Sequence, residues 1–260
     1  MKFGFCRGLD DFDAIKRGKK CGADYLETGF GCLANYEEAR FLECKALLES
    51  INLKCLASNS FIPGDMSLVG EKVDYSAISD YLDRGFDRAE KLGVKTIVLG
   101  SGKARSFQEG FPKEKAEEQL IYFLTEYASP RAKKINADIV LEPLRFCETS
   151  MLHTVSDGVS ISEKCRTGNV FALADLYHIY GNDDSVSGII NFKGKIKHAH
   201  VAQPVSRSFP CESDDETVIY IYKEFIRALS LAGCDTCSIE ARTEDFNKDV
   251  FSAINLLKTL

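Results

Sequence analysis

The chain has 260 residues, 33 Lys and Arg against 39 Asp and Glu, a formal net charge of -6 and a hydrophobic share of 45%. That length accommodates a large core, the acidic balance offers no global attraction for nucleic acid, and no apolar run is long enough to span a bilayer. The opening residues Met1-Lys2-Phe3-Gly4-Phe5 lack the apolar core of a signal peptide. A cytoplasmic protein with a small-molecule partner, and with neither nucleic acid nor membrane as partner, is expected.

Strand and helix alternate from the N-terminus. Phe3 to Cys6 reads as a first strand, followed by a helix opening near Asp10 with Phe12 and Ile15 inward and stopping at Gly22. Ala23 to Thr28 is a second strand and delivers Glu27. Asn35 with Glu38 three residues on predicts a capping box for a helix whose face is Phe41, Cys44, Leu48 and Ile51. Leu56 to Ser58 is a third strand, and the loop after it, Asn59 to Val73, is long enough to suggest a functional role. A strongly periodic helix from Ser76 to Leu92 stops at Gly93. Thr96 to Leu99 is the fourth strand, running into Gly100-Ser101-Gly102-Lys103-Ala104-Arg105.

A helix from Lys113 to Ile135 is expected to be interrupted by Pro130. The fifth strand, Ile139-Val140-Leu141, ends on Glu142. A helix from Thr149 to Cys165 follows, and then a sixth strand, Val170 to Ala174, which ends on Asp175. A short helix around Asp184 to Phe192 precedes the seventh strand, Ile196 to His200. Ser213 with Glu216 opens a box-capped helix that Gly233 ends, Thr236 to Ile239 delivers Glu240, and a last helix covers Phe246 to Leu257. Eight strands alternating with eight helices over residues 1–260 predict an α/β fold, one (β/α)8 TIM barrel domain. No Gly-x-Gly-x-x-Gly follows the first strand, which counts against a dinucleotide-binding open sheet. Of ten cysteines only Cys234 and Cys237 have CxxC spacing, and no second such pair completes a zinc knuckle; all ten are expected to be reduced and structural.

In a parallel barrel the carboxyl ends of the strands form the catalytic face. Glu142, Asp175, His200 and Glu240 each lie at such an end. A glutamate is ordinarily a solvated surface residue; these escape that reading because each terminates an apolar run. Carboxylate oxygens and an imidazole suit a divalent cation, Mn, Mg, Co or Zn. Such a cation polarises a sugar carbonyl and acidifies the neighbouring C–H. One carboxylate can then remove that proton and the other return one, to the opposite face (epimerisation) or to the next carbon (aldose-ketose isomerisation). His198 and His200 alternate along one strand and point the same way; His200, nearer the carboxyl end, is the ligand and His198 a supporting or core residue. His153 is read as structural, and Arg207 as either an exposed cation or a contact for an anionic or hydroxyl-rich substrate.

Leu141-Glu142-Pro143-Leu144 with Glu148-Thr149, Asp175-Leu176-Tyr177-His178, His198-Ala199-His200-Val201-Ala202 and Ser238-Ile239-Glu240, in order at four successive strand ends, resemble the xylose isomerase-like TIM barrel sugar isomerase/epimerase superfamily. The ketose 3-epimerase branch, acting on tagatose and allulose, is the most similar. The resemblance implies that Glu142, Asp175, His200 and Glu240 bind one divalent metal ion, Mn2+ foremost, and that Glu142 and Glu240 are the acid/base pair. It further implies that Glu148, His178 and Arg207 contact the oxygens of a carbohydrate substrate, and that the chain forms a homodimer or homotetramer. Two departures are visible: Arg145-Phe146 stand where the epimerases have Asn-Arg, and Gln203 where an acidic residue is common. An inosose-type dehydratase, which loses hydroxide from the same enediolate, and an aldose-ketose isomerase are the alternatives within the superfamily. Endonuclease IV, a DNA repair nuclease, is the rival from another class. Its multi-metal chemistry needs many histidines; this chain has four, and none at Ser58-Asn59-Ser60 or Gly100-Ser101-Gly102.

Overall fold

Lys2–Cys6 (β1), Tyr25–Gly29 (β2), Lys54–Asn59 (β3), Thr96–Leu99 (β4), Asp138–Leu141 (β5), Val170–Asp175 (β6), Ile196–Val201 (β7) and Thr236–Ile239 (β8) pair in parallel in chain order, and β8 closes onto β1. The structure is a computed structural model describing residues 1–260. Ten helices interleave with the strands: Phe12–Lys20 (α1), Phe30–Asn35 (α2), Glu38–Ser50 (α3), Tyr75–Leu92 (α4), Lys113–Tyr122 (α5), Ser129–Lys134 (α6), Val155–Cys165 (α7), Leu176–Gly181 (α8), Glu216–Ala232 (α9) and Phe246–Thr259 (α10). The closed eight-stranded barrel is the predicted (β/α)8 fold. None of the helices is long and apolar enough to cross a membrane.

The period-two alternation of a strand divides the core into two layers. Ile97, Leu99, Ile139 and Leu141 face outward into the main apolar layer beneath the helices, whereas Val98, Val140 and Leu173 face inward and form a separate small cluster. The rest of the barrel interior is largely polar. Tyr25, Glu27, His198, His200 and Ser238 are all buried, and Tyr25 Oη lies 2.9 Å from Ser238 Oγ across the lumen. A register shift between Ala172 and Leu173 sets Asp175 directly beside His200.

Several helix boundaries differ from the sequence reading, each for a local reason. Asn35 ends α2 instead of capping α3, whose N-cap is Glu37 with no side-chain bond. The unforeseen α2 buries Phe30, whose ring occupies the space left by the missing side chain of Gly85 on α4. Asp215, not Ser213, caps α9 by accepting from Thr217 N–H. The segment before Val155 is loop, because Thr154 and Asp157 form the capping box that starts α7 there. Pro130 exerts its effect upstream. Its missing N–H removes one i→i-4 bond, and Phe123–Ala128 widens into a π-helical turn in which the Ser129 N–H reaches Leu124 O. The expected helix at 184–192 is a 3-10 turn, Ser187–Phe192. All ten cysteines are free thiols, and most are buried or half-buried; Cys147 is exposed in the loop after β5.

Candidate active site

Each of the four strand-end residues reaches the same point. Glu142 follows β5, Asp175 ends β6, His200 is the fifth residue of β7 and Glu240 follows β8. One ligand atom from each falls within 4.8 Å of the others. His200 Nδ1 is the centre of this group, 2.9 Å from Glu142 Oε1, 3.7 Å from Glu240 Oε2 and 3.8 Å from Asp175 Oδ2. The sequence spacing Asp-x-x-His has a local origin. Asp175 is the N-cap of α8, and its Oδ1 accepts from the backbone N–H of His178 at 3.1 Å. Its Oδ2 remains free to face His200, so one carboxylate both starts a helix and enters the site.

Three carboxylates this close together repel one another unless positive charge compensates. Burial, opposed by His200 and assisted by Glu142 and Asp175, pushes Glu240 up to about 7. Burial also raises Asp175. For Glu142 burial acts upward, but the charge and hydrogen bond of His200 outweigh it and hold the carboxyl below its ordinary value. The imidazole is driven the other way: burial disfavours its cationic form, yet Glu27, Glu240 and Glu142 together lift it well above the usual histidine range. A surplus of negative oxygen donors with one imidazole nitrogen among them fits a divalent cation of the Mn, Mg, Co or Zn kind.

The residues expected at the substrate line the same mouth. His178 is buried, its Nδ1 lies 3.3 Å from Glu148 Oε2, and neither ring nitrogen makes a hydrogen bond within the protein. Arg207 donates from Nη2 to Glu240 Oε2 at 2.7 Å and lies 3.9 Å from Glu148 Oε1. Its guanidinium and that of Arg145 both pack over the Tyr177 ring, at 4.9 and 5.0 Å. Gln203 builds the turn that returns Arg207 to the site. Its Oε1 accepts from Val205 N–H, Ser206 N–H and Ser206 Oγ, and its backbone carbonyl accepts from Arg207 N–H at 2.9 Å. His153 stands apart, stacked on Phe146 with ring centroids 4.1 Å apart.

Four neighbours of the site were not singled out from sequence. Asn59 donates to Glu240 Oε1 at 3.3 Å. Gly100 faces the Glu142 carboxylate. Arg105, fully buried, donates from Nη2 to the Glu142 carbonyl at 2.6 Å, and burial lowers its guanidinium to about 10. Glu27 accepts from both His198 and His200. Glu27 alone carried a sequence signal, since it follows the apolar Tyr25-Leu26 as Glu142 follows its own run.

The family model described as xylose isomerase-like TIM barrel matches residues 15–260. The chain belongs to this family. No curated protein sequence matches it significantly. Among solved structures, 3-keto-D-glucoside 4-epimerase from E. coli is 17% identical, with a TM-score of 0.81 and full coverage of both chains. D-psicose 3-epimerase from Clostridium cellulolyticum H10, solved with D-tagatose, is 18% identical with a TM-score of 0.78, covering 100% of this chain and 95% of that one. A family 2 AP endonuclease from Brucella melitensis is 18% identical with a TM-score of 0.79, covering 99% and 98%. At such identities the likenesses establish the fold, shared alike by epimerases and an endonuclease, and the side chains at the mouth must carry the functional argument.

Proposed function

We propose that this xylose isomerase-like barrel is a divalent-metal-dependent carbohydrate epimerase, with a ketose or keto-sugar as substrate. The observation that carries the reading is the convergence of Glu142 and Glu240, from β5 and β8, with Asp175 and His200 between them, all four ligand atoms within 4.8 Å. Two carboxylates facing one reaction centre from separate strands provide what epimerisation needs, a base on one side and an acid on the other. Glu142, Asp175, His200 and Glu240 would hold the cation, which would supply Lewis-acid polarisation of the substrate carbonyl.

The chain's own side chains do the rest. Glu142 and Glu240 exchange the proton on the carbon next to the carbonyl, one removing it and the other delivering a proton of its own to the opposite face. In the metal-free chain His200 holds Glu142 and Arg207 holds Glu240, so each carboxylate is already turned toward the site before cation and substrate arrive. His178, with both nitrogens uncommitted in the protein, and Glu148 beside it offer donors and acceptors to sugar hydroxyls. The similar proteins named for D-psicose and for a 3-keto-glucoside support a substrate of this class. The endonuclease reading lacks ligands for several metals, since the ends of β3 and β4 present Asn59 and Gly100 where further histidines would be needed.

A panel of free and phosphorylated ketoses, keto-glycosides, aldoses and inosones incubated in deuterated water with Mn2+, Mg2+ or Co2+ tests the proposal. Deuterium at a single carbon with inverted configuration is expected for one ketose or keto-sugar. Deuterium with migration of the carbonyl, or loss of water, would reassign the chain to isomerase or dehydratase, and cleavage of abasic DNA in place of any exchange would overturn the carbohydrate reading.

A further inference from the structure

Below the four strand-end residues, the barrel lumen holds a second polar cluster. Glu27, on β2, is fully buried, and its two oxygens are each taken by a different histidine of β7: His200 Nε2 at 2.9 Å from Oε1 and His198 Nε2 at 2.8 Å from Oε2. His198 is itself anchored, with Nδ1 2.8 Å from Thr236 Oγ1 on β8. The two histidines can share one carboxylate because residues i and i+2 of a strand face the same side. This clasp leaves Glu27 no freedom to turn, and it fixes which nitrogen of His200 looks upward.

We propose that Glu27 is a positioning residue for the metal site, acting through His200. A carboxylate accepts from an N–H, so the Glu27 bond keeps one His200 hydrogen on Nε2 and makes Nδ1, which faces Glu142, Asp175 and Glu240, the nitrogen that gives up its hydrogen to a cation. A carboxylate behind a ligating imidazole fixes its tautomer and ring orientation and raises its basicity. His198 supports the arrangement from the far side by occupying the second oxygen. Glutamine replaces Glu27 only poorly, because its amide offers one accepting oxygen and one NH2, and the histidine facing that NH2 must change tautomer or lose its bond. This inference rests on the reading of Glu142, Asp175, His200 and Glu240 as cation ligands.

The test compares wild type, Glu27→Gln and His198→Gln, stripped of metal and titrated with Mn2+ by calorimetry, with Co2+ absorption spectra recorded at saturation and folding checked by circular dichroism and Tm. Glu27→Gln is expected to raise the Mn2+ dissociation constant about 10- to 100-fold and to shift the Co2+ ligand-field bands, which a purely structural role would leave in place at saturating metal. A folded Glu27→Gln that binds Mn2+ within about twofold of wild type, outside the 10- to 100-fold range of such partners, overturns the proposal. Should Glu27→Gln not fold, His198→Gln decides by the same readouts: a several-fold weaker Mn2+ affinity with shifted bands supports the clasp, and unchanged values overturn it. A wild-type protein that takes up no Mn2+, Mg2+, Co2+ or Zn2+ would instead sink the metal reading itself.

Discussion

Gly100 and Glu142 share a space that has no room for a side chain: a β-carbon built on Gly100 overlaps Oε2 of Glu142. The backbone of Gly100 is not left-handed, so alanine fits the main chain and the conflict is confined to the carboxylate. Gly100→Ala should therefore displace Glu142 while leaving the strand intact. A displacement near 1 Å can cost about 100-fold in rate. Turnover is expected to fall on that scale with Tm nearly unchanged; an active Gly100→Ala enzyme would show that the Glu142 position is not critical. Gly85→Ala is the converse control. Its β-carbon meets the Phe30 ring in the core, and overpacking of this kind costs about 1–3 kcal/mol with the site chemistry untouched.

The acid/base roles make a second demand. Glu142→Gln and Glu240→Gln should each lower kcat by about 100- to 10,000-fold, the usual contribution of a positioned proton-transfer group, measured at saturating metal with metal content verified. The double variant should also lose exchange of substrate hydrogen with deuterated solvent. Exchange persisting in the double variant would remove both residues from proton transfer.

Metal uptake should depend on pH with a definite sign. In the metal-free chain His200 is lifted well above its ordinary value and Glu240 is pushed up to about 7, and both must release their protons to ligate. Affinity therefore rises with pH. Above about 7 the His200 proton alone is displaced, so log Kd for Mn2+ should change by about one decade per pH unit; below about 7 Glu240 contributes a second proton and the slope steepens toward two. Calorimetry in buffers of different ionisation enthalpy counts the protons directly. A Kd independent of pH between 5 and 8 would contradict the assignment of His200 as a ligand.

Arg105 offers a test of stability. Its buried guanidinium donates one charge-assisted bond to the Glu142 carbonyl, while Nε and Nη1 find no partner in the protein. Arg105→Ala removes that bond and leaves a cavity, together about 3 kcal/mol or more. Arg105→Met fills most of the volume and relieves the burial of an incompletely paired charge, so it should cost distinctly less. Chemical denaturation of the two variants gives the comparison, and equal losses would mean that the lost bond to the Glu142 carbonyl, not packing, governs the position.

How much of this was legible beforehand depends on the range of the interactions involved. The eight short runs ending on turn or charged residues were readable because the outward positions of each strand are apolar, and a charged residue that ends such a run must find a partner or a ligand there. That rule singled out Glu142, Asp175, His200 and Glu240, and it touched Glu27. Helix starts were less legible: Asn35 and Ser213 have the right residue types, yet Glu37 and Asp215 occupy the N-cap positions, because the cap is set by where the preceding turn ends.

By itself, the sequence determined the alternation of elements, hence the barrel, and the residue types carried to its mouth, since both follow from short-range periodicity. Only the tertiary structure decided which of those residues meet. The clasp of Glu27 by two histidines 171 and 173 residues away arises from closure of β8 onto β1, whereas Gly100 makes room for Glu142 because β4 pairs with β5, and Arg207 returns onto Glu240 because β7 pairs with β8. Closure brings together side chains whose pairing no local spacing encodes.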